Sequence, residues 1–257
     1  MQNSKNTSAY NIQSDMLVSV IVPAMNEEKT ITSVVREAYK VHPHTEVIVV
    51  ANGCKDRTAE LAERAGAAVI HYEHALGHDV GRAAGAAAAR GKVLLFIDGD
   101  MPILADQLKP FVYAVGQAGL DIALNRYNGP VHLRQVHPVV AAKHTLNFML
   151  HRADLKGASM TAVPHALSRK AIEAIGSEHL TVPPLFMTMA IAAGLRVEAV
   201  HHVDVGTRNR KRPTVRKEDE LKSIVLSDHL QAIDWFIGRK GSRGGRGDLE
   251  RDRSRVR

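Results

Sequence analysis

Two aspartates separated by one glycine are the residues in this sequence best suited to chemistry. Asp98 and Asp100 flank Gly99 and directly follow the apolar run KVLLFI at residues 92–97. Carboxylates this close repel each other unless a cation lies between them, and Mg²⁺ or Mn²⁺ together with diphosphate oxygens suits such ligands. Paired acids also occur in ordinary exposed turns. The position of this pair, after a run that is apolar on both faces, favours a metal site.

The first half of the chain predicts the strands and helices that would position this motif. Short apolar, β-branched runs alternate with segments of helical spacing. The predicted strands are 17–22, 46–50, 68–71 and 92–97, and the predicted helices are 30–39, a helix capped by Asp56 and stopped by Gly66, and 81–90. Strands that are apolar on both faces indicate a mostly parallel sheet covered by helices on both sides. The predicted fold class is therefore α/β and Rossmann-like, in a single domain.

Polar clusters follow three of the predicted strands. They are Asn-Glu-Glu at 26–28, Asn-Gly at 52–53 and Asp-Gly-Asp at 98–100. Ligands of open parallel sheets bind at the carboxyl ends of the strands. We therefore expect all three clusters to lie along one edge and to form a single site.

The second half of the chain is less regular. The predicted strands are 121–124, 159–163 and 196–205, and the predicted helices are 138–152, 168–175, 185–193 and 217–237. The last helix leaves three uses open: packing on its own domain, forming a homodimer, or lying on a membrane surface through Trp235 and Phe236.

The composition is that of an ordinary globular protein, with 45% hydrophobic and 24% charged residues. Cys54 is the only cysteine, which excludes an internal disulfide and fits a reducing compartment. No run approaches the roughly 18–20 apolar residues of a membrane span. We expect a cytoplasmic protein, with peripheral contact at the inner face of the membrane as an open alternative.

The net charge of +7 is concentrated late in the chain. Basic residues cluster between Arg208 and Arg216, and residues 239–257 hold eight basic residues against three acidic ones. Aromatic residues make up only 4% and are not interleaved with these runs. Because single-strand binding needs stacking platforms, nucleic acid is not an expected partner.

Three stretches carry a specific resemblance. They are VSVIVPAMNEEKTI at 18–31, VIVVANGCKDRTAELA at 47–62 and HDVGRAAGAAAARGKVLLFIDGDM at 78–101. Together they resemble the nucleotide-binding half of the GT-A-fold family 2 glycosyltransferases. Within that group PAMNEE, GRAAG and DGDM resemble glucosyl-3-phosphoglycerate synthases. The resemblance implies a GT-A domain at 16–238, with a nucleotide-sugar half at 16–125 and an acceptor half at 126–238. The composition of the two ends predicts a flexible N-terminus at 1–15 and a disordered basic tail at 239–257.

The resemblance also implies roles for individual residues. Asp98 and Asp100 would hold the metal, and Asp100 and Arg82 would be the catalytic residues. The donor-binding residues would be Pro23, Ala24, Glu27, Asn52, Arg82, Asp98 and Gly99, joined by Arg208 and Arg210 of the basic loop. A guanidinium suits this task because it forms paired bonds to phosphate oxygens. Glu27 and Glu28 have an alternative use, since acids in a first helical turn stabilise the helix dipole.

The sequence departs from the family pattern around the base and the acceptor. Ala51 stands where many relatives have an aspartate that reads the base, so nucleotide identity is left open. The Glu-Asp pair that serves many inverting relatives as catalytic base would fall near Val182-Pro183, where there is no acid. Either the enzyme is retaining and needs no base, or catalysis is lost or uses Glu178, Asp154, His179 or His165.

The third departure concerns the metal. In the related synthases a histidine of the C-terminal loop completes the metal site, but the matching loop here has arginines instead. The neighbouring strand end carries His201 and His202. His202 is a candidate replacement, although a histidine on a strand is more often structural.

The predicted function is metal-dependent transfer of a hexose from a UDP- or GDP-sugar to a hydroxyl acceptor. A retaining outcome and a phosphorylated acceptor are open refinements, and the expected cofactor is Mg²⁺ or Mn²⁺. A non-catalytic nucleotide-sugar-binding protein is the main alternative. A nucleotidyltransferase is disfavoured because PAMNEEKT lacks the Gly-rich loop that those enzymes place after the first strand.

Overall fold

The computed structural model describes residues 16–131, 134–206 and 215–251, with side chains of the last range from residue 220 onward. The strands are β1 Val18–Ala24, β2 Thr45–Asn52, β3 Ala68–Tyr72, β4 Val93–Phe96, β5 Ile122–Asn125, β6 His165–Ser168 and β7 Val197–His201. The helices are α1 Ile31–Ala38, α2 Thr58–Arg64, α3 Val80–Ala88, α4 Ala105–Gly116, α5 Pro138–Met149, α6 Arg169–Ile175, α7 Pro183–Ala192 and α8 Val215–Lys240. Short 3₁₀ turns lie at Ala153–Leu155 and Ser177–Thr181.

The seven strands form one sheet in the order β3-β2-β1-β4-β6-β5-β7. Strand β6 runs antiparallel to both of its neighbours, and the other adjacent pairs are parallel. The predicted class, a single α/β domain built on a mostly parallel sheet, is confirmed. No helix in the described ranges is both long enough and apolar enough to cross a membrane.

The centre of the sheet is buried on both faces because β4 is apolar at every position and β1 at every position except Ser19. In β4, Val93 and Leu95 pack with α1 and α4 on one face. Leu94 and Phe96 pack with the helices on the other face, among them α7 and α8. Side chains alternate across a strand, so a continuous apolar run supplies both cores at once.

Helix α3 lies unusually close to the sheet because two glycines face it. A Cβ on Gly81 would be 3.2 Å from the Cβ of Pro23, and one on Gly85 would collide with the side chain of Ile21. Residues four apart share one face of a helix. The GRAAG segment is therefore a packing surface as well as a motif, and it sets Arg82 directly over the ends of the central strands.

One predicted strand is wrong. Residues 159–163 form a turn instead, with Ala162 N donating to Ser159 O over 3.0 Å. The Ser159 hydroxyl also accepts from the amide of Thr161 at 3.3 Å. These local bonds compete with a sheet ladder. The strand begins later, at His165, directly after Pro164, which has no amide hydrogen to give to a neighbouring strand.

Two further differences concern the second half. Helix α4 was not anticipated, and β7 ends at His201 instead of continuing to residue 205. The chain leaves the sheet there because the amide and carbonyl of Val203 bond the side chain of Asn125, as described below. Part of the predicted tail has defined contacts: the Arg246 side chain donates to the carbonyl of Phe148, at the end of α5.

Helix α8 packs on its own domain. Ala232 and Phe236 are buried, with 0% and 5% of their surfaces exposed, and join the core formed with α7. Trp235 is half-buried beneath the guanidinium of Arg239, whose central carbon is 4.5 Å from the ring centroid. Core packing is thus one use of this helix. Dimer and membrane contacts stay predictions.

Asn125 holds together the segments that surround the candidate site. Its amide nitrogen donates to the carbonyls of Val163 and Val203 at 2.8 and 2.9 Å, and its oxygen accepts from Val203 N at 3.0 Å. The side chain is fully buried. Three backbone groups therefore depend on one amide.

We predict that Asn125→Ala lowers the free energy of unfolding by about 2–4 kcal/mol, because buried polar groups lose their partners. Urea unfolding followed by circular dichroism measures this. The exposed Ser33→Ala on α1 is the control and should change stability by less than about 0.5 kcal/mol. Equal stability of the two variants would show that Asn125 is dispensable.

Candidate active site

The loops after β1 and β2 are bonded to each other at the carboxyl edge of the sheet. Lys55 N donates to Asn26 Oδ1 at 2.8 Å, and Glu28 N donates to Asp56 Oδ2 at 3.1 Å. Glu27 N lies 2.7 Å from Thr58 Oγ1. The cluster at 26–28 is therefore tied to the loop that directly follows the cluster at 52–53.

The third cluster crosses the end of β1 at very short range. Gly99 N donates to Pro23 O at 3.2 Å, and Thr30 Oγ1 donates to Gly99 O at 2.8 Å. A Cβ on Gly99 would lie 2.8 Å from the Cβ of Ala24, closer than side chains pack. Only glycine fits there, so the Asp-Gly-Asp spacing is a steric requirement of this fold. The structure brings Pro23, Ala24 and residues 98–100 together as predicted.

Arg82 lies between two carboxylates. Its side chain forms an ion pair with Asp79 and donates through Nη2 to Asp98 Oδ1 at 2.9 Å. Only 5% of Arg82 is exposed, whereas the Asp98 side chain is 37% exposed. Arg82 thus offsets part of the negative charge of the aspartate pair and fixes the orientation of Asp98.

His165 lies buried close to Arg82. Its ring stacks on Phe96 with centroids 5.1 Å apart. Burial, followed by the nearby positive charge of Arg82, lowers the pKa of His165 to about 3. The imidazole is therefore neutral at physiological pH and adds no charge to the site.

Asn52 is placed at the predicted edge, but its amide is already occupied. Asn52 Oδ1 accepts from Leu76 N at 2.7 Å, and Nδ2 donates to Gly77 O at 3.1 Å. These bonds hold the segment between β3 and α3 over the end of β2. The predicted contact of Asn52 with a nucleobase stays a prediction.

A cavity of about 200 Å³ opens beside the aspartate pair. Its lining comes from both halves of the domain and consists of Asp98, Asp100, Met101, Tyr127, Lys143, Thr161, Ala162, Val163, Val205 and Gly206. The two segments that Asn125 bonds contribute Val163, Val205 and Gly206 to this lining. The cavity therefore joins the predicted donor half to the predicted acceptor half at the metal motif.

Three polar residues of this cavity escaped the sequence analysis: Tyr127, Lys143 and Thr161. Burial, followed by the negative charge of Asp204, raises the pKa of Tyr127. Lys143 did leave a signal in the sequence. It shares a buried face of α5 with Val140, Leu146 and Asn147, and a lysine within such a stripe is unusual.

The other candidate bases do not line the cavity. Asp154 and Glu178 have exposed side chains, paired with Arg152 at 2.7 Å and facing His179 at 3.8 Å. His165 is buried next to Arg82, as described above. None of these groups stands where it would reach a hydroxyl inside the cavity.

The two histidines at the end of β7 have structural contacts. The His201 ring nitrogen Nε2 is 3.0 Å from Gln107 Oε1. His202 stacks on Tyr127, with ring centroids 6.2 Å apart, and its Nδ1 is 3.3 Å from Arg126 O. Among the described residues, no group of three or more His, Cys, Asp or Glu side chains is placed to hold a metal. Arg208 and Arg210 lie outside the described residues.

A family model matches this chain over more than half of its length. The model is that of glycosyl transferase family 2, and it covers residues 19–176. The chain belongs to this family. The match contains β1 to β6 together with Arg82, Asp98 and Asp100, so the resemblance drawn from the sequence motifs is confirmed.

Curated relatives of this family 2 chain match it in part. Glycosyltransferase AglD of Haloferax volcanii is 34% identical over 117 residues, which are 41% of this chain and 19% of that protein. Dolichyl-phosphate beta-glucosyltransferase ALG5D of Trichomonas vaginalis is 38% identical over 97 residues, 32% of this chain and 30% of that protein. The chain thus spans less than a third of the length of either relative.

A solved structure matches nearly the whole chain. Glucosyl-3-phosphoglycerate synthase from Mycobacterium tuberculosis, in complex with uridine diphosphate, superposes with a TM-score of 0.63 and 22% identity over 91% of this chain and 82% of that chain. Further crystal structures of that enzyme contain Mn²⁺, UDP-glucose and either phosphoglyceric acid or glycerol 3-phosphate. The likeness establishes the GT-A fold of this family 2 chain.

Buried neutral histidines make the stability of this domain depend on pH. Burial lowers the pKa of His229, in α8, to about 4, and that of His165 to about 3. Between these values and about 6.5 the unfolded chain binds protons that the folded chain does not. The stability that these two neutral histidines contribute is therefore fully present above about pH 6.5 and is lost as the pH falls towards their folded-state pKa values.

We predict that His229→Gln reduces the slope of unfolding free energy against pH, between pH 6 and 4.5, by about 1.4 kcal/mol per pH unit. Urea unfolding at several pH values gives this slope. His74→Gln is the control, because His74 is exposed in the folded chain and should leave the slope unchanged. An unchanged slope in His229→Gln would mean that this imidazole is protonated in the folded protein.

Proposed function

We propose that this chain is a metal-dependent glycosyltransferase that moves a hexose from a UDP- or GDP-sugar to a hydroxyl acceptor. The observation that carries the proposal is the placement of Asp98 and Asp100. They stand at the carboxyl end of a central parallel strand, in the wall of a cavity, with Arg82 bonded to one of them. This is the edge of an α/β sheet where nucleotides bind.

The residues present fit Mg²⁺ or Mn²⁺. Both ions take oxygen ligands, and Mg²⁺ is held in proteins by one or two carboxylates completed by water and substrate phosphates. Two aspartates on one cavity wall provide that number of carboxylates. Arg82 bonds only Oδ1 of Asp98, so Oδ2 remains available as a ligand. The related mycobacterial enzyme with Mn²⁺ and UDP-glucose supports the same choice of metal and donor. When bound, the ion would stabilise the negative charge that develops on the departing diphosphate.

Arg82 is proposed to support the donor site in two ways. It holds the Asp98 carboxylate in position, and its guanidinium adds positive charge beside the place where the diphosphate would bind. Because Arg82 is buried and paired with Asp79 and Asp98, its position needs no rearrangement when the donor arrives. A preorganised charge of this kind stabilises a developing anion more than a mobile one does.

A retaining outcome is the proposed stereochemistry. Asp98 and Asp100 are the only carboxylates among the described residues that line the cavity, and the proposed metal uses both of them. Transfer with retention lets the departing diphosphate take the proton of the acceptor hydroxyl, so a separate base is unnecessary. The phosphorylated acceptors of the mycobacterial enzyme support a phosphorylated acceptor here.

We predict that Asp100→Asn weakens UDP binding in the presence of Mn²⁺ at least 10-fold and slows transfer or donor hydrolysis roughly 100-fold or more. Calorimetry with UDP and MnCl₂ measures binding, and radiolabelled UDP- and GDP-sugars measure turnover. The substitution keeps the size of the side chain, so the fold should be preserved and thermal unfolding should confirm it.

Asp106→Asn is the matched control, because Asp106 is an exposed carboxylate on α4 that pairs only with Lys109. It should bind and react like the unchanged protein. Full activity of Asp100→Asn would contradict the proposal. Nucleotide-sugar binding by the unchanged protein, without turnover at any Mg²⁺ or Mn²⁺ concentration, would favour the non-catalytic alternative.

A further inference from the structure

The ammonium of Lys143 is a buried charge with no partner in the described part of the protein. Lys143 lies on α5, only 9% of its surface is exposed, and it lines the cavity that contains Asp98 and Asp100. No hydrogen bond or ion pair to a described residue engages it. Buried charges in native proteins are normally paired, since an unpaired one loses its hydration without compensation.

The surroundings of Lys143 are built from neutral hydrogen-bonded groups. His229 Nδ1 lies 2.7 Å from Val225 O, which can only accept, so this nitrogen carries the hydrogen. His229 Nε2 is then an acceptor for the Ser159 hydroxyl, 3.4 Å away. Thr161 Oγ1 donates in turn to Ser159 Oγ at 3.2 Å. The hydrogens of these groups are thus bonded within the chain, and no described group accepts a hydrogen bond from the lysine.

Among the described residues, Lys143 is the only charged side chain that the second half of the chain contributes to the cavity lining. The Lys143 charge and, above all, burial lower the pKa of His229, so that imidazole stays neutral. Burial lowers the pKa of Lys143 itself only to about 8, and at pH 7 the side chain is still mostly an ammonium. A positive charge thus faces the cavity with three donor hydrogens unused.

We propose that Lys143 is a specificity-determining residue that binds an anionic group, phosphate or carboxylate, on the acceptor. This inference rests on the proposed function and deepens it, because it assigns the recognition of the acceptor's charge to one residue. A bound anion would be the charged partner that no described residue provides for the ammonium. An acceptor without a negative charge would leave Lys143 buried and unpaired and would bind more weakly.

The acceptor is favoured over the donor as the source of this anion because Lys143 lies in the second half of the chain. Asp98, Asp100 and Arg82 belong to the first half of the chain, and the metal together with Arg82 would neutralise the donor diphosphate. Lys143 and Thr161 belong to the second half and line the same cavity as the aspartates. A molecule extending from the metal towards α5 would place its own charge at Lys143.

The test compares Lys143→Met with the unchanged protein, in the full chain. Methionine has a similar length and no charge, so it suits a buried site and should fold. Inorganic phosphate and glycerol 3-phosphate are titrated by calorimetry in the presence of UDP and MnCl₂, and we expect at least 10-fold weaker binding of both to the variant. In transfer assays with glycerol 3-phosphate, KM should rise at least 10-fold and kcat should change less than 3-fold. With uncharged glycerol the two proteins should react alike.

Lys92→Met is the matched control, since Lys92 is exposed and precedes β4 at the opposite edge of the sheet. Unchanged phosphate affinity in Lys143→Met would overturn the proposal. An equal loss of UDP affinity in Lys143→Met would also overturn it, because the ammonium would then bind the donor. Failure of the unchanged protein to bind either UDP or GDP with Mn²⁺ would count against the proposed function, whereas phosphate binding lost only in Lys143→Met would still support the anion site.

Discussion

The ion pair between Arg82 and Asp98 is the contact on which the rest of the site depends. It joins helix α3 to the end of β4, two elements that meet only because Gly81 and Gly85 allow the helix to lie against the sheet. A larger residue at either glycine would lift α3 and withdraw the guanidinium from the aspartate. Asp98 would then face Asp100 with no positive charge beside it. Packing geometry therefore sets the electrostatics of the metal motif.

Close packing also determines the path of the loop that carries the aspartates. Gly99 crosses the end of β1 so closely that a side chain has no room, and the two acids emerge on either side of that crossing. Thr30, at the start of α1, bonds the Gly99 carbonyl and keeps the loop in place. The donor frame is thus assembled from β1, β4, α1 and α3 before any ligand arrives. Preorganisation of this kind lowers the cost of ordering the site during reaction.

The role of a residue could be predicted from the sequence where it follows from the residues next to it in the chain. It could not be predicted where it depends on a contact with a residue far away in sequence. The aspartate pair, the glycines of α3 and the four first strands are visible locally, because buried parallel strands and their polar ends follow one another along the chain. The prediction of a strand at 159–163 was wrong because Ser159 bonds its own backbone neighbours. Apolar periodicity does not reveal that such local bonds compete with a sheet ladder. The early end of β7 depends on Asn125, far away in sequence. Tyr127 and Thr161 reach the cavity through such distant contacts, and nothing in their local pattern marks them.

Arg82 and Lys143 show how two buried cations in one domain lead to different conclusions. Arg82 is compensated within the protein by Asp79 and Asp98, so its burial is explained by structure alone. No described residue bonds or pairs with Lys143, and His229, Ser159 and Thr161 bond to one another instead. Core packing would be better served by methionine or leucine at this position, which avoid the desolvation of a charge. An ammonium at a cavity wall with no partner among the described residues destabilises the folded protein, and the binding of an anion would offset that loss.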